Sequence, residues 1–375
     1  PPRSTLFPYT TLFRSAIVVK LLLLPRISRW MEKRRNESLA KFYRELTTGE
    51  RLSDLQISFD NLLLEKDPIG FGAMGVVYKA KYNGTTVAVK SLSTWVSAMS
   101  DALDDSGIDA MAQSFMQECE LMSKLRHPNL LLLVGACTEV PNLALVLEYM
   151  DGGSMYEWLH HAGALACPME QKVDLALQVL RGCIYLHDDR SIVHGDIKSL
   201  NVLLNSSGTI AKICDYGSAV LSQRTVFRAL KERSGPLEIA ELQGVDAVDS
   251  GVTLEYAAPE LLLSEYASVS YASDVYAFGV LLWEIVTQRA PYVDIPARSL
   301  DDYLRQKGGC RLEILGYIPV ALARAMQLCW AEDSTDRPTM SQVFSVLDAF
   351  QAELSGDIVT KAPSEASGSS SWKES

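Results

Sequence analysis

Residues 194 to 204 read His194-Gly195-Asp196-Ile197-Lys198-Ser199-Leu200-Asn201-Val202-Leu203-Leu204, and Asp215 and Gly217 follow a short way downstream. This run gathers a carboxylate, an amine and an amide within six positions. Asp196 is suited to accept a hydroxyl proton and Lys198 to neutralise a moving phosphoryl group, while Asn201 and Asp215 can hold metal ions against nucleotide phosphates. Together they describe phosphoryl-transfer chemistry.

Such chemistry needs a nucleotide cradle, and Gly70-Phe71-Gly72-Ala73-Met74-Gly75-Val76-Val77 fits GxGxxGxV, whose glycines let backbone amides approach phosphates without Cβ obstruction. In a dinucleotide-binding fold a helix would follow Gly75, with an acidic residue about 20 positions on. Here the β-prone runs Val76 to Tyr82 and Thr85 to Lys90 flank Asn83-Gly84, the strongest two-residue hairpin signal. That loop predicts Tyr82 opposite Thr85 and Val77 opposite Lys90, and period-two alternation puts Ala88 on the same face as both. One sheet face then offers small apolar groups for a flat base and a cation for its phosphates. The competing reading is a glycine-rich turn before an ordinary hairpin with an exposed lysine.

Phe115, Cys119 and Met122 recur at helical spacing, and Pro128 predicts that this helix stops at His127. Glu118 borders the apolar stripe and is the candidate for orienting Lys90, with its neighbour Glu120 as the competitor. Leu143 to Met150 reads as an apolar strand, and the following Asp151-Gly152-Gly153 as a flexible connection where an adenine ring would meet backbone groups. Val173, Ala176, Leu177, Leu180 and Ile184 predict a core helix that supports the catalytic run. Val275 to Val286 reads as apolar around its whole circumference yet too short for a membrane, hence a buried central helix. Asp274, at its start, is expected either to cap that helix or to brace the backbone of the catalytic run.

A chain of 375 residues with 48% hydrophobic content suffices for one bilobal enzyme unit. Its formal charge of −11 argues against nucleic acid as a general partner. The seven cysteines are scattered without a CxxC pair, which suits a reducing cytosol. Pro1 to Ser15 matches, codon for codon, one reading frame of a sequencing-library adapter; we expect it to be foreign and the native N-terminus to be missing. Ala16 to Leu24 is apolar except for Lys20 and precedes Arg26, Arg29, Lys33, Arg34 and Arg35. It is too short to span a bilayer, which takes about 20 residues, so 16–58 is expected to be a juxtamembrane-like or loosely packed segment. The Ser, Gly and Ala content of 351–375 predicts a disordered tail.

From residue 59 to 350 the chain resembles eukaryotic protein kinases. The resemblance rests on Gly70/Gly72/Gly75, Val87-Ala88-Val89-Lys90, Glu118, His194-Gly195-Asp196 with Lys198 and Asn201, Asp215-Tyr216-Gly217, Ala258-Pro259-Glu260, Asp274 and Arg337, in the family's order. It implies an α+β, bilobal kinase fold, with a small β-rich N-lobe over 59–150 carrying one main helix and a larger, mainly α-helical C-lobe over 151–350. It implies ATP with Mg²⁺, Mn²⁺ being an alternative, and a catalytic set of Asp196, Lys198, Lys90 and Glu118. The implied ATP cleft comprises Ile69, Gly70, Gly72, Gly75, Val77, Ala88, Lys90, Leu147, Glu148, Met150 and Leu203. In it Val77, Ala88 and Leu203 would sandwich adenine, Glu148 and Met150 would supply backbone contacts, and Leu147 would guard the back. Asn201 and Asp215 would bind metal, and Glu260 and Arg337 would form a structural ion pair.

Lys198, and Thr253 before Ala258-Pro259-Glu260, resemble kinases that modify Ser or Thr. Leu125-Arg126-His127-Pro128-Asn129, Val134-Gly135-Ala136-Cys137 and Cys329-Trp330 resemble the tyrosine-kinase-like group. The resemblance therefore implies protein substrates with Ser/Thr acceptors, dual specificity being the lesser alternative. It also implies a cytoplasmic location, or the cytoplasmic face of a membrane if the missing upstream sequence held a membrane helix. A pseudokinase scaffold and a receptor-like kinase are the competing roles. Two positions depart from the family pattern: Gly195 stands where arginine is usual, and Tyr216 where phenylalanine is.

Overall fold

The computed structural model describes residues 55–72, 75–91, 115, 117–138, 142–160, 167–215, 255–263, 268–293 and 311–356. The expectations for Pro1 to Ser15, the basic segment, Tyr216, Gly217, Thr253 and the tail beyond residue 356 lie outside these residues.

Five antiparallel strands form the small lobe: β1 (Leu63–Gly72), β2 (Gly75–Tyr82), β3 (Thr85–Ser91), β4 (Leu133–Cys137) and β5 (Ala144–Glu148), in the order β1-β2-β3-β5-β4. Asn83 and Gly84 both adopt positive φ, 47° and 82°, the twist that a two-residue hairpin loop demands. The register is the expected one, Tyr82 opposite Thr85 and Val77 opposite Lys90. Pro68, which cannot donate a ladder hydrogen bond, sits on edge strand β1 where the β1–β2 register shifts.

Alternation divides β3 between two cores. Val87 and Val89 join a small cluster with Ile57, Leu62, Ala80 and Val146, whereas Ala88 faces a large cluster that continues through Leu145 and Leu147 into the helical lobe. The packed unit starts before residue 59: the Ile57 amide donates to the Ala136 carbonyl at 2.9 Å, and the Ala136 amide to the Leu55 carbonyl at 2.8 Å. At the other end helix continues to Leu354, past the expected boundary at 350.

A helix over 117–123, α1, carries the expected stripe, with Cys119 and Met122 buried together with Phe115. It ends earlier than His127, because the chain turns there: the Arg126 amide donates to the Tyr185 hydroxyl, and the Asn129 amide to His127 Nδ1. The large lobe holds α2 (Met155–His160), α3 (Met169–Ile184), α4 (Pro259–Leu263), α5 (Tyr271–Thr287), α6 (Val320–Cys329) and α7 (Met340–Leu354), plus a hairpin of β6 (Val202–Leu204) and β7 (Ala211–Ile213). Among the described residues no helix is long and apolar enough to cross a membrane.

Helix α5 is the buried centre, capped by Ser270 in a reciprocal box with Ser273, so Asp274 is not its cap. Nor is α5 apolar throughout. Glu284 lies inside it with no solvent exposure.

The connection after β5 is a close approach rather than a flexible joint. The Gly152 amide donates to the Leu204 carbonyl at 2.9 Å, and the Leu204 amide to the Gly153 carbonyl at 2.9 Å. A Cβ on Gly152 would lie 2.2 Å from the Asn205 carbonyl oxygen, an obstacle of backbone that cannot rotate away. Gly152→Ala is therefore expected to lower stability by about 2 kcal/mol, as overpacking does, visible as a melting temperature lower by about 5 °C in a thermal scan. An unchanged melting temperature would show that this joint yields.

Candidate active site

The catalytic run lies between α3 and β6, and its backbone is held from the large lobe. Asp274, 1% exposed, accepts from the amides of His194 and Gly195, both at 2.7 Å, and from His187 Nε2 at 2.8 Å. Of the two roles expected for Asp274, bracing the catalytic run is the one adopted. Gly195 sits at φ 78°, a conformation glycine reaches without Cβ strain. His194 accepts the Asp196 amide through Nδ1 and meets the Cys214 carbonyl through Nε2 at 3.1 Å. One neutral tautomer, protonated at Nε2, satisfies both contacts.

This frame presents the Asp196 carboxylate between two donors. Its Oδ2 accepts Lys198 Nζ at 2.8 Å and Asn201 Nδ2 at 2.7 Å. Asn201 Nδ2 also donates to the Asp196 carbonyl at 2.8 Å, so both amide hydrogens are used and the amide oxygen is left as the acceptor end. The Cys214 amide donates to the Asn201 carbonyl at 2.9 Å, which sets Asp215 one residue beyond that contact.

Lys90 reaches across the cleft from β3. Its Nζ lies 2.5 Å from Asp215 Oδ1 and 3.3 Å from Glu118 Oε1. Glu120 instead pairs with Lys124 along the partly exposed side of α1, at 2.6 Å, so the lysine meets the first of the two competing carboxylates. Burial works against the Lys90 ammonium, but the Asp215 and Glu118 carboxylates more than offset it and hold its pKa well above the usual lysine value. Lys90 in turn lowers the pKa of Asp215, whereas burial raises that of Glu118 despite the same ammonium. Asp215, at the shorter contact, acts on the ammonium more strongly than Glu118 does. Two carboxylates therefore share one buried ammonium.

The residues expected to enclose a base come from both lobes. Ala88 pairs with Leu147 across β3 and β5, both belong to the large core, and Val77, Met150 and Leu203 pack against it. Gly70 pairs with Val77, and Gly72 with Gly75 at the mouth of the hairpin; residues 73 and 74 lie outside the described set. Ile69 is 48% exposed on β1. The Glu148 side chain bridges the lobes, its Oε1 accepting the Leu132 amide and Lys212 Nζ, both at 2.7 Å. Alongside it, the Leu131 amide donates to the Ile213 carbonyl at 2.8 Å and the Ile213 amide to the Asn129 carbonyl at 2.9 Å. Neither bridge was read from sequence, because Lys212 on β7 looks like any strand-surface lysine. Farther off, Arg337 binds both oxygens of Glu260, at 2.7 and 2.8 Å, and stacks over Tyr276.

A divalent cation fits this donor set. Asp215, held ionised by Lys90, supplies a hard oxygen, and Asn201 supplies an amide oxygen with its hydrogens already committed. Among the described residues no group of three His, Cys, Asp or Glu side chains could hold a metal by itself. That matches Mg²⁺, which binds through one or two protein oxygens and completes its shell with water and substrate phosphates.

Comparison with known proteins agrees with this geometry. A profile described as protein tyrosine and serine/threonine kinase matches residues 63–347. The chain is 33% identical over 297 residues to the serine/threonine-protein kinase CTR1 of Arabidopsis thaliana, covering 78% of this chain and 32% of that protein. It is 34% identical over 312 residues to mitogen-activated protein kinase kinase kinase 10 of Mus musculus, covering 80% and 30%, and 32% identical over 296 residues to a probable serine/threonine-protein kinase of Dictyostelium discoideum, covering 79% and 28%. The chain thus spans about a third or less of the length of these relatives.

Proposed function

The chain belongs to the protein tyrosine and serine/threonine kinase family, and on that premise we propose that it transfers the γ-phosphate of ATP to serine and threonine hydroxyls of protein substrates in intracellular signalling. The observation that carries this reading is the Asp196 carboxylate held between Lys198 and Asn201, beside an Asp215 already paired with Lys90. ATP, when bound with Mg²⁺, supplies the phosphoryl group. Asp196 orients an acceptor hydroxyl and takes its proton. Lys198, 2.8 Å from that carboxylate, places positive charge beside the transferring group. Lys90 holds the α and β phosphates from the opposite lobe and is kept in place by Glu118, while Asn201 and Asp215 offer oxygen ligands to the metal. Val77, Ala88, Leu147 and Leu203 provide apolar walls for the base, and the backbone of Glu148 and Met150 its polar edge. Mn²⁺ would suit the same oxygens. The names of the Arabidopsis, mouse and Dictyostelium relatives support serine and threonine as acceptors, and a cytoplasmic site of action accords with the proposed substrates.

Incubation with γ-labelled Mg-ATP and a generic protein acceptor, followed by phosphoamino-acid analysis, tests this. Label on serine and threonine is expected; label confined to tyrosine, or none, would overturn the acceptor assignment.

Gly195 bears on control. An arginine there could read an activation-loop phosphate through charge-assisted hydrogen bonds, and glycine cannot. Phosphatase-treated enzyme is therefore expected to keep its activity within about threefold, since a lost phosphate contact has no arginine to lose. Complete loss of activity after treatment would refute this.

A further inference from the structure

The face of the sheet that turns to the cleft carries two lysines, and the proposed chemistry uses one of them. Val77 and Lys79 lie two positions apart on β2 and so share a face. Across the sheet Val77 pairs with Lys90, whereas Lys79 pairs with Ala88, which pairs in turn with Leu147 on β5. Lys90 therefore marks the phosphate end of this face and Lys79 the base end.

Lys79 has two partners there. Its Nζ lies over the face of the Tyr149 ring, 5.2 Å from the centre, and 3.5 Å from Glu65 Oε1 on β1. The ion pair adds little stability, because the side chains are 33% and 56% exposed. The contact with the ring reaches further into the site. The peptide groups on either side of Tyr149 contain the Glu148 carbonyl and the Met150 amide, which belong to the polar edge proposed for the base. The neighbours of Tyr149 in this connection are fastened to the large lobe: Glu148 Oε1 accepts Lys212 Nζ at 2.7 Å, Asp151 Oδ1 accepts the Ser206 amide at 2.8 Å, and the Gly152 amide donates to the Leu204 carbonyl at 2.9 Å. At Tyr149 the small lobe takes hold, through a cation on the ring. A ring held at its face leaves its Cα little room to turn, and with it the two flanking peptide groups.

We propose that Lys79 is a positioning residue for ATP: through the Tyr149 ring it holds those two peptide groups in the arrangement that receives the base, and so governs nucleotide affinity and not phosphoryl transfer. This rests on the proposed kinase function. Without the cation the connection adopts that arrangement only part of the time, and the apparent affinity falls by the same fraction. Asp196, Lys198 and Asn201 hold one another from the large lobe, so transfer from bound ATP keeps its rate. Because Lys79 acts through Tyr149, their effects are coupled.

Calorimetric titration of the full chain with Mg-ATP, alongside steady-state kinetics with ATP and acceptor varied separately, tests this on Lys79→Met, Lys79→Arg, Tyr149→Leu, Tyr149→Phe and the double variant Lys79→Met/Tyr149→Leu. Lys79→Met keeps the apolar stem and removes the charge, and Tyr149→Leu removes the ring. Each is expected to weaken Mg-ATP binding and raise KM for ATP about fourfold, the scale of a partly exposed cation on a ring, with kcat and KM for the acceptor within about 1.5-fold. Lys79→Arg and Tyr149→Phe, which keep a cation and a ring face, should stay within about 1.5-fold of wild type in Mg-ATP affinity. The double variant should lose about fourfold, not the roughly sixteenfold product of the single losses. Unchanged Mg-ATP affinity in Lys79→Met, an equal loss in Lys79→Arg, multiplicative losses in the double variant, or a kcat that falls as far as KM rises would overturn the proposal. If Tyr149→Leu does not fold, Lys79→Met and Lys79→Arg carry the test, since they exchange a partly exposed head group. A wild-type chain that binds no Mg-ATP would overturn the proposed function and this inference with it; a wild type that binds it as tightly as Lys79→Met overturns the inference alone.

Discussion

Asp196→Asn is expected to lower kcat for protein phosphorylation by about 10³-fold, the scale of a lost general base, while leaving KM for ATP within about twofold. The substitution is nearly isosteric, and its effect can be assigned to chemistry. Asp196 Oδ2 accepts both Lys198 and Asn201, and an asparagine oxygen in the same place can still accept both. What disappears is the basic oxygen that would take the hydroxyl proton. Lys90, Glu118 and Asp215 form an ion group of their own across the cleft, so nucleotide binding has no reason to change. Label transfer from γ-labelled ATP, with a melting curve as a folding control, measures it. Equal activity of variant and wild type would mean that residual phosphorylation came from a contaminant and that the chain is a scaffold.

Asp274→Ala should have the largest effect on stability, a loss of about 4 kcal/mol. Two backbone amides, the buried one of His194 and the partly buried one of Gly195, and the buried His187 ring lose their acceptor at once. Water cannot substitute readily, because Asp274 is 1% exposed and His194 is fully buried. Each orphaned donor costs about 1–3 kcal/mol, and the sum is reduced by local relaxation. Urea unfolding would report it, and phosphoryl transfer should fall with it, since these amides hold Asp196 in place. A midpoint unchanged in the variant would show that the catalytic run is held by something other than α5.

The parts of this site that were legible in sequence are those governed by short-range geometry. A two-residue Asn83-Gly84 loop admits one register, so the pairing of Val77 with Lys90 could be counted out from the turn. The stripe of Phe115, Cys119 and Met122 placed α1 against the core in the same way. The choice between Glu118 and Glu120 was not local: both flank the stripe, and only the packing of α1 against the sheet brings the first to Lys90 and leaves the second beside Lys124. Gly152 was misread because glycine permits flexibility and close approach alike, and the neighbour that decides between them, Asn205, is 53 positions away. Glu284 was passed over in an apolar run where a lone charge was itself the signal, since a carboxylate survives such burial only with partners. Those partners, His160, Ser199 and Tyr256, are scattered over nearly a hundred residues of sequence.

The bridges at the back of the cleft determine how the two lobes can move. Asn129 and Leu131 pair with Ile213 of the large lobe, and Leu132 is tied through Glu148 to Lys212. The chain that leaves α1 is thus fastened to the large lobe before it enters β4. The small lobe is thus tied to the large one at two places, the 129–132 stretch behind the cleft and the Lys90–Asp215 pair across it. An opening of the cleft about the first tie would have to part the second, so the Lys90–Asp215 separation is the gauge of that opening.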